Sequence, residues 1–369
     1  MKTIRRLLYR DIMSSVGFVA LAFLSLFFFI DLVEELDGVG RRGRTVWHAL
    51  LAAVLELPSH LYELFPIAVL IGSIYSLARM AQSSEFTILR TGGLGPGRAL
   101  GLLAMLGAFF GGVTLFTGDV VAPFSEREAV LLRARFNGGI KLGGAGAWLK
   151  ERHPTAEGER NYSVNVSGAK ANGALAGIRI FEFDTDGRLL TRTEASEGQV
   201  ADDGSWTLTD AEQTRWPRPR SESARIDVVR QATLVWPSTL NPSVVAAAVL
   251  PLTSMTTLEL WRYSVHLSDQ EQAAQQYRIR FWRKALYPLA CLVMMALALP
   301  FAYLRARAGG ASLKVFGGIM LGISFVLLNN LSGHIGLLRG WTPWIAAATP
   351  SLIYLMLSMA AFAWLVRYR

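Results

Sequence analysis

The most constraining feature of this sequence is a set of long stretches that contain no charged residue. A helix needs about 20 apolar residues to cross the hydrocarbon core of a bilayer. Five runs reach that range: residues 12–30, 99–118, 285–304, 315–333 and 340–366 contain 19, 20, 20, 19 and 27 residues. A sixth run, 64–78, contains 15, and we expect its helix to extend upstream through Glu56 and His60. The sequence therefore predicts a polytopic α-helical membrane protein with six transmembrane helices, three before a long gap and three after it.

Composition agrees with this class and excludes others. Hydrophobic residues make up 52% of the 369 residues and charged residues 18%, against about 25% charged in ordinary soluble domains. A disordered chain is excluded, and a simple soluble enzyme is disfavoured. The net charge of +9 indicates an anionic partner, which is membrane lipid, nucleic acid or an acidic substrate. The single cysteine, Cys291, excludes an internal disulfide framework and a cysteine-rich zinc site.

The distribution of basic residues predicts the orientation. With six spans both termini share a side, and the four segments on that side hold 12 Lys and Arg, against 4 in the short loops of the other side. The positive-inside rule then places both termini in the cytoplasm. The segments counted as cytoplasmic are 1–11, 79–98, 305–314 and 367–369.

The region between the third and fourth spans changes character. Short runs of alternating apolar residues are separated by turn signals such as Asp186-Gly187 and Asp203-Gly204, which is typical of antiparallel strands with one buried face. A small sandwich or jelly roll outside the cytoplasm is the natural packing. The alternating apolar residues are Tyr162, Val164, Val166, Ile178, Ile180, Trp206, Leu208, Ile226 and Val228.

Three domains follow. Residues 1–122 hold spans one to three, 123–265 an inserted periplasmic all-β, jelly-roll-like domain with connecting helices, and 266–369 spans four to six. Thr256 with Glu259 and Ser268 with Glu271 have the spacing of capping boxes at the starts of two helices.

No enzymatic motif is found in the sequence. A Walker A motif is absent, because no Gly-Lys-Ser/Thr tripeptide occurs, and the glycine-rich run 92–97 is better explained as a helix stop than as a phosphate loop. The five histidines have no zinc-site spacing, and no nucleophile–base pair is evident. We therefore predict no catalytic residue and no metal site, and any ATP that this protein uses must be bound by a partner.

Two carboxylates near the second span leave two readings open. Glu56 and Glu63 lie seven residues apart, so a helix would carry them on one face. Inside the membrane they would be functional by default; at the outer interface they would be solvated and ordinary.

The segment 79–98 is the most informative part of the first half. Residues 83–91 predict a short amphipathic helix, with serines at its start and glycines 92 and 93 at its end. It is either an ordinary interfacial helix or a coupling helix that inserts into a groove of a peripheral motor protein. The residues that would carry the coupling are Ser84, Glu85, Phe86, Leu89 and Arg90.

Two basic clusters flank the outer ends of spans. Their guanidinium groups suit phosphate binding, and attraction to ordinary anionic headgroups is the simpler alternative. Our hypothesis is that these residues contact the phosphate of an amphiphilic cargo. The clusters are Arg41, Arg42 and Arg44 after the first span, and Arg278, Arg280, Arg283 and Lys284 before the fourth.

Over nearly its whole length the chain resembles the LptF/LptG family of lipopolysaccharide export (Lpt) ABC transporter permeases of Gram-negative bacteria, and the LptG type more than the LptF type. The likeness is carried by the three-plus-three architecture and by residues 57–66, 77–93 and 277–288. Glu85 matches the glutamate of the family's coupling helix, and Arg90 a commonly basic position. The acidic stretch at Asp31, Glu34, Glu35 and Asp37 departs from the family, in which lysines at the outer end of span one meet lipid phosphates.

The resemblance implies a permease subunit of an inner-membrane transporter that extracts lipopolysaccharide and passes it to a periplasmic bridge. It implies a heterodimer with an LptF-type permease, a dimeric LptB-type ATPase that binds ATP and Mg²⁺, and a single-span LptC-type jelly-roll protein with a bridge protein. This chain would bind no cofactor and no nucleic acid. Alternatives are a permease for another lipid or lipoprotein, a membrane-anchored periplasmic scaffold or sensor, and a membrane-anchored periplasmic enzyme.

Overall fold

A computed structural model describes most of the chain. The described residues are 2–137, 139–141, 146–155, 158–170, 173–201, 203–217, 226–238, 240, 245, 252–266, 271–303 and 311–367. They form two compact units: one contains Met1–Glu35, Ala53–Glu126 and Thr256–Arg369, and the other Leu36–Ala52 and Arg127–Met255.

The first unit is helical, and some of its helices continue into the second. Six helices in the described chain are long and apolar enough to cross a membrane, which confirms the six-span prediction, including the upstream extension of the second helix through Glu56 and His60. The helices are α1 (Lys2–Leu36), α2 (Val46–Gln82), α3 (Glu85–Thr91), α4 (Pro96–Phe116), α5 (Ala122–Asn137), α6 (Thr257–His266), α7 (Glu271–Tyr303), α8 (Ala311–Leu338) and α9 (Pro343–Arg367).

The third span is longer than its charge-free run. A π-helical turn at Thr117–Val121 joins α4 to α5 without a break, so the helix passes Asp119 and continues to Asn137. Such π-bulges accommodate an extra residue inside a continuous helix.

The core of the helical unit lies among α1, α2, α4 and α7. Leu8, Ile12 and Val16 of α1 pack into it, together with much of α2 from Phe65 to Met80. The two helices approach closely at Gly72, where a Cβ atom would lie 2.6 Å from the Cα of Val16. Only glycine permits that approach, because any side chain would displace the α1 backbone.

The second unit contains an antiparallel sheet of seven described strands. Its strands are β1 (Ile140–Lys141), β2 (Ala147–Thr155), β3 (Gly158–Ala169), β4 (Leu175–Phe183), β5 (Leu189–Val200), β6 (Trp206–Arg215) and β7 (Asp227–Trp236). They pair in the order β1-β3-β4-β5-β6-β7, and β2 also pairs with β3. The prediction of an all-β domain inserted between spans three and four is confirmed.

One face of the sheet is buried, as the alternation predicts. Leu149, Val164 and Ile180 are cross-strand neighbours, and each is at most 3% exposed. Trp206 and Leu208 are also fully buried. The predicted turns are present, since Asp184 N donates to Arg188 O at 3.0 Å and Ala201 N to Ser205 O at 2.9 Å.

The last alternating run behaves differently from the others. Ile226 and Val228 were expected to bury one face, and they are more than half exposed. The reason is that β7 is an edge strand, which pairs with β6 alone among the described strands.

Of the two predicted capping boxes, one is described and confirmed. Thr256 N donates to Glu259 Oε2 at 2.8 Å, and Glu259 N donates to Thr256 Oγ1 at 3.2 Å. Ser268 lies outside the described residues.

Candidate functional site

The short helix α3 is attached to the helical core through one aromatic side chain. Phe86 is 4% exposed, and its ring meets that of Tyr303 in α7 edge-on, with centroids 5.0 Å apart. The Arg90 guanidinium carbon lies 5.7 Å from the centroid of the same tyrosine ring, within the range of a cation–π contact. Leu94, just beyond α3, is also buried. Phe86 therefore anchors α3 within this chain and is turned away from any external partner.

The opposite face of α3 is exposed. Ile88 is 67% exposed, while Glu85 and Thr87 are exposed beside it and Leu89 is half-buried. A solvent-facing apolar side chain flanked by polar ones is the arrangement that a helix uses to enter a groove. Ile88 is not among the residues predicted to carry the coupling, because a helix of seven residues has too few positions to define its buried face from the sequence.

The start of α3 differs from the prediction. Ser84 occupies the N-cap position with φ of 61° and no side-chain hydrogen bond to the helix, so the expected serine cap is not formed. Ser83 Oγ donates instead to Met80 O at 3.3 Å. The glycine stop is confirmed, because Gly93 adopts φ of +97° and its N donates to Arg90 O at 3.1 Å.

The end of α2 that leads into α3 is tied to α1 by a charged cluster. Arg79 pairs with Asp11, and Ser76 Oγ donates to the other carboxylate oxygen of Asp11 at 2.8 Å. These contacts hold the two helices together close to α3.

The first basic cluster forms a tight turn in the second unit. Arg41 and Arg42 are exposed in a 3-10 turn of residues 41–43, and Arg42 Nη1 donates to Phe136 O at 3.4 Å. Partial burial and the charge of Arg133 lower the pKa of the Arg44 guanidinium. Two cations held close together favour an anion beside them.

The second basic cluster is largely occupied by contacts within the helical unit. Arg283 Nη2 donates to Asn330 Oδ1 at 3.1 Å, and Lys284 Nζ lies 3.9 Å from Asp119 Oδ1. Arg280 is exposed, as is Arg278. Arg278 and Arg280 are therefore the accessible cations of this cluster.

Asp119 links three elements. The same oxygen that faces Lys284 accepts a hydrogen bond from Thr257 N at 2.7 Å, at the first residue of α6. A carboxylate at a helix N-terminus interacts favourably with the unpaired amides and the helix dipole. The π-helical turn at Thr117–Val121 thus places the Asp119 carboxylate where it contacts both the N-terminus of α6 and Lys284 of α7.

The acidic residues near the end of α1 are not all solvated. Asp31 is 7% exposed, and its Oδ2 lies 2.8 Å from His60 Nε2. Glu63, the other carboxylate considered for α2, is exposed, whereas Glu56 is half-buried. The contact between Asp31 and His60 is not predictable from the sequence pattern, because the two residues belong to different helices.

The chain is similar to known permeases over almost its whole length. A family model described as lipopolysaccharide export system permease LptF/LptG matches residues 6–367. The lipopolysaccharide export system permease protein LptG of Haemophilus influenzae is 26% identical over 359 residues, 96% of each chain. LptG of Escherichia coli K12 is 25% identical over 358 residues, again 96% of each chain.

Proposed function

Because the chain belongs to the LptF/LptG family of lipopolysaccharide export permeases, we propose that it is one permease subunit of an ATP-driven transporter. This transporter extracts lipopolysaccharide from the inner membrane and passes it to a periplasmic bridge toward the outer membrane. The second permease is an LptF-type homologue. Both termini and α3 face the cytoplasm, and the β-sheet unit lies in the periplasm, as the distribution of basic residues favours.

The observation that carries this proposal is the two-sided arrangement of α3. Its outer face, with Glu85 and Ile88, is available to an LptB-type ATPase that binds ATP and Mg²⁺. Its inner face reaches α7 through the contact between Phe86 and Tyr303. Because α7 packs along α4 and α9, a displacement of α3 by the ATPase moves a helix that is in contact with two other spans.

The lipid and the second permease contact the spans that are least buried within this chain. Of the six candidate spans in the described residues, α1 and α8 bury the smallest share of their apolar segments. Both carry rows of exposed large side chains, which in this proposal line a lipid cavity shared with the second permease. These rows include Phe18, Leu21, Leu26 and Phe29 on α1, and Phe316, Ile323, Leu327 and Leu331 on α8.

The mechanism is a shift between two states of that cavity. ATP binding closes the ATPase dimer, moves the coupling helices and narrows the cavity, so that the lipid leaves it upward. Phosphate groups of the cargo bind to arginines, namely Arg41, Arg42, Arg44 and Arg280. Arg283 and Lys284 position the helices instead, through Asn330 and Asp119.

The β-sheet unit then covers the acyl chains. Each buried CH₂ is stabilised by about 0.8 kcal/mol relative to water, so acyl chains outside the membrane need an apolar groove in this unit. Strand β7 is an edge with exposed Val228, Val229 and Val235. An edge of this kind accepts a strand from another β protein, which fits the LptC-type protein and the bridge.

The test is charge reversal at the coupling helix. We expect Glu85→Lys to abolish co-purification of the ATPase or its stimulation by lipopolysaccharide, with the permease still present in the membrane. Asp186→Lys, in an exposed β-hairpin turn, is the matched control and should change neither quantity. Unchanged assembly and transport in Glu85→Lys would show that Glu85 has no role at an ATPase interface.

A further inference from the structure

Two acidic side chains are buried in the half of α1 that leads toward Leu36. From Leu21 to Leu36, the buried residues are Asp31 and Glu35, while the apolar side chains of this stretch are exposed or half-buried. Apolar packing secures the other half of the helix through Leu8, Ile12 and Val16. Contacts of Asp31 therefore add to those of half-buried Phe27 in attaching this half of α1 to α2.

Three potential metal ligands meet at this point. Asp31 on α1 faces Glu56 and His60 on α2, and the ligand atoms of the three side chains all lie within 4.8 Å of one another. Glu56 and His60 are four residues apart, so successive turns of one helix present them on the same face. One helix thus supplies two ligands and the neighbouring helix the third.

The imidazole is already oriented for this role. His60 Nε2 lies 2.8 Å from Asp31 Oδ2, and the His60 ring packs against that of Phe27 with centroids 4.7 Å apart. Phe27 and Asp31 are one turn apart on α1, so the same helix fixes the ring and supplies a carboxylate. On the other side of His60 the neighbours are apolar, including Phe23, Leu24 and Leu64.

Charge favours a cation here. The cluster contains the carboxylates of Asp31 and Glu56 and the imidazole of His60, so carboxylates outnumber the one imidazole. Clustered carboxylates in a partly desolvated place are stabilised by a bound metal ion. One nitrogen and two carboxylate oxygens suit Zn²⁺, whereas Mg²⁺ and Ca²⁺ prefer oxygen ligands alone.

We propose that Asp31, Glu56 and His60 bind one divalent transition-metal ion, with Zn²⁺ as the matching ion, and that this ion clamps α1 onto α2. Two ligand atoms on a tetrahedral zinc ion are about 3.4 Å apart, given zinc–ligand distances of about 2.0–2.2 Å. The observed spacings bracket that value, from 2.8 Å between Asp31 and His60 to at most 4.8 Å within the cluster, so zinc binding requires the side chains to adjust. The three protein ligands leave a fourth position open, which water or an anionic oxygen fills. The proposal concerns metal binding alone and does not depend on the transported substrate.

The experiment measures zinc on the full-length chain, purified in detergent with whatever subunits accompany it, without a histidine tag. After treatment with a chelator, the protein is dialysed against Zn²⁺ in the presence of excess Mg²⁺, and bound metal is counted by mass spectrometry. We expect one zinc per chain in the wild type and at least about tenfold weaker binding in His60→Asn. A rise in the unfolding temperature on addition of Zn²⁺ should occur in the wild type and disappear in the variant.

Two further variants separate loss of a ligand from loss of the fold. Glu56→Gln leaves the contact between Asp31 and His60 intact and should also weaken zinc binding at least about tenfold. His334→Asn and Glu63→Gln, exposed residues outside the cluster, should bind zinc as the wild type does. Equal zinc content in the wild type and in both ligand variants would overturn the proposal. So would displacement of Zn²⁺ by equimolar Mg²⁺ or Ca²⁺, since it would remove the imidazole from the ligand set.

Discussion

Phe86 and Tyr303 meet edge-on, with ring centroids 5.0 Å apart, and they join a seven-residue helix to the end of a 33-residue one. Edge-to-face pairs contribute about 0.5–1.5 kcal/mol beyond the area that they bury. Under the proposed function, a movement of α3 driven by the ATPase reaches α7 through these two rings. Loss of the contact should therefore separate ATP hydrolysis from lipid movement.

Phe86→Ala should uncouple the transporter. Removal of a buried phenylalanine ring costs about 3–5 kcal/mol in well-packed cores. The other contacts of a seven-residue helix cannot make up that loss of packing energy. We expect the ATPase to remain bound through the exposed face of α3, while lipopolysaccharide released per ATP hydrolysed falls several-fold. The measurement compares the two rates in proteoliposomes. A variant that keeps the wild-type ratio would contradict transmission through this ring.

Tyr303→Phe is the conservative partner of that experiment. The Tyr303 hydroxyl is buried and has no hydrogen-bond partner in the described part of the chain, and an unsatisfied buried hydroxyl costs about 1–3 kcal/mol. We expect Tyr303→Phe to preserve coupling and to leave the unfolding temperature equal or higher. A lower unfolding temperature would mean that the hydroxyl contributes a contact that stabilises the fold.

Ile88→Asp should impair docking of the ATPase without affecting the permease itself. Because Ile88 is 67% exposed, the free energy of unfolding should change by no more than about 0.5 kcal/mol. Introduction of a charge into an apolar groove of a partner is far more costly, so co-purification of the ATPase should drop strongly. Thr87→Asp, on the neighbouring exposed position, controls for added negative charge. Similar loss in both variants would argue against a specific contact of Ile88.

Arg41→Glu tests the proposed contact with lipid phosphate. Arg41 is exposed in a turn whose neighbour Arg44 already lies near the charge of Arg133, so reversal removes attraction for an anion and adds repulsion. We expect stimulation of ATP hydrolysis by lipopolysaccharide to require several-fold more lipid. Arg188→Glu, in an exposed β-hairpin turn, is the control. Transport and stimulation at wild-type levels in Arg41→Glu would remove the arginine turn from the lipid pathway.

Asp119→Ala should destabilise the helical unit more than Asp119→Asn does. The alanine variant loses both the hydrogen bond from Thr257 N and the attraction to Lys284, whereas the side-chain oxygen of asparagine can still accept that hydrogen bond. A lost hydrogen bond costs about 0.5–1.5 kcal/mol, so the alanine variant should unfold at a measurably lower temperature in detergent. Equal unfolding temperatures for the two variants would show that the ion pair, and not the hydrogen bond, accounts for the contribution of Asp119.

The sequence by itself determined the six candidate membrane spans and the insertion of a β unit. Length and lack of charge identify a span regardless of its neighbours, and period-two alternation with turn residues identifies strands such as β3 and β4. The local sequence pattern likewise predicted the short helix in segment 83–91 and its end at the glycines. The capping box at Thr256 and Glu259 was predictable because both partners lie within one helical turn.

Only the tertiary structure decided how distant residues meet. The sequence pattern did not reveal that the Phe86 side chain is buried and the Ile88 side chain exposed. A helix of seven residues has too few positions to define its buried face. It did not distinguish Lys284, held by Asp119, from exposed Arg280, because the partner lies on another helix. The exposure of Ile226 and Val228 follows from the edge position of β7, which is set by strand order. Asp31 and His60 are 29 residues apart and become neighbours only when α1 packs against α2, through the close approach that Gly72 permits.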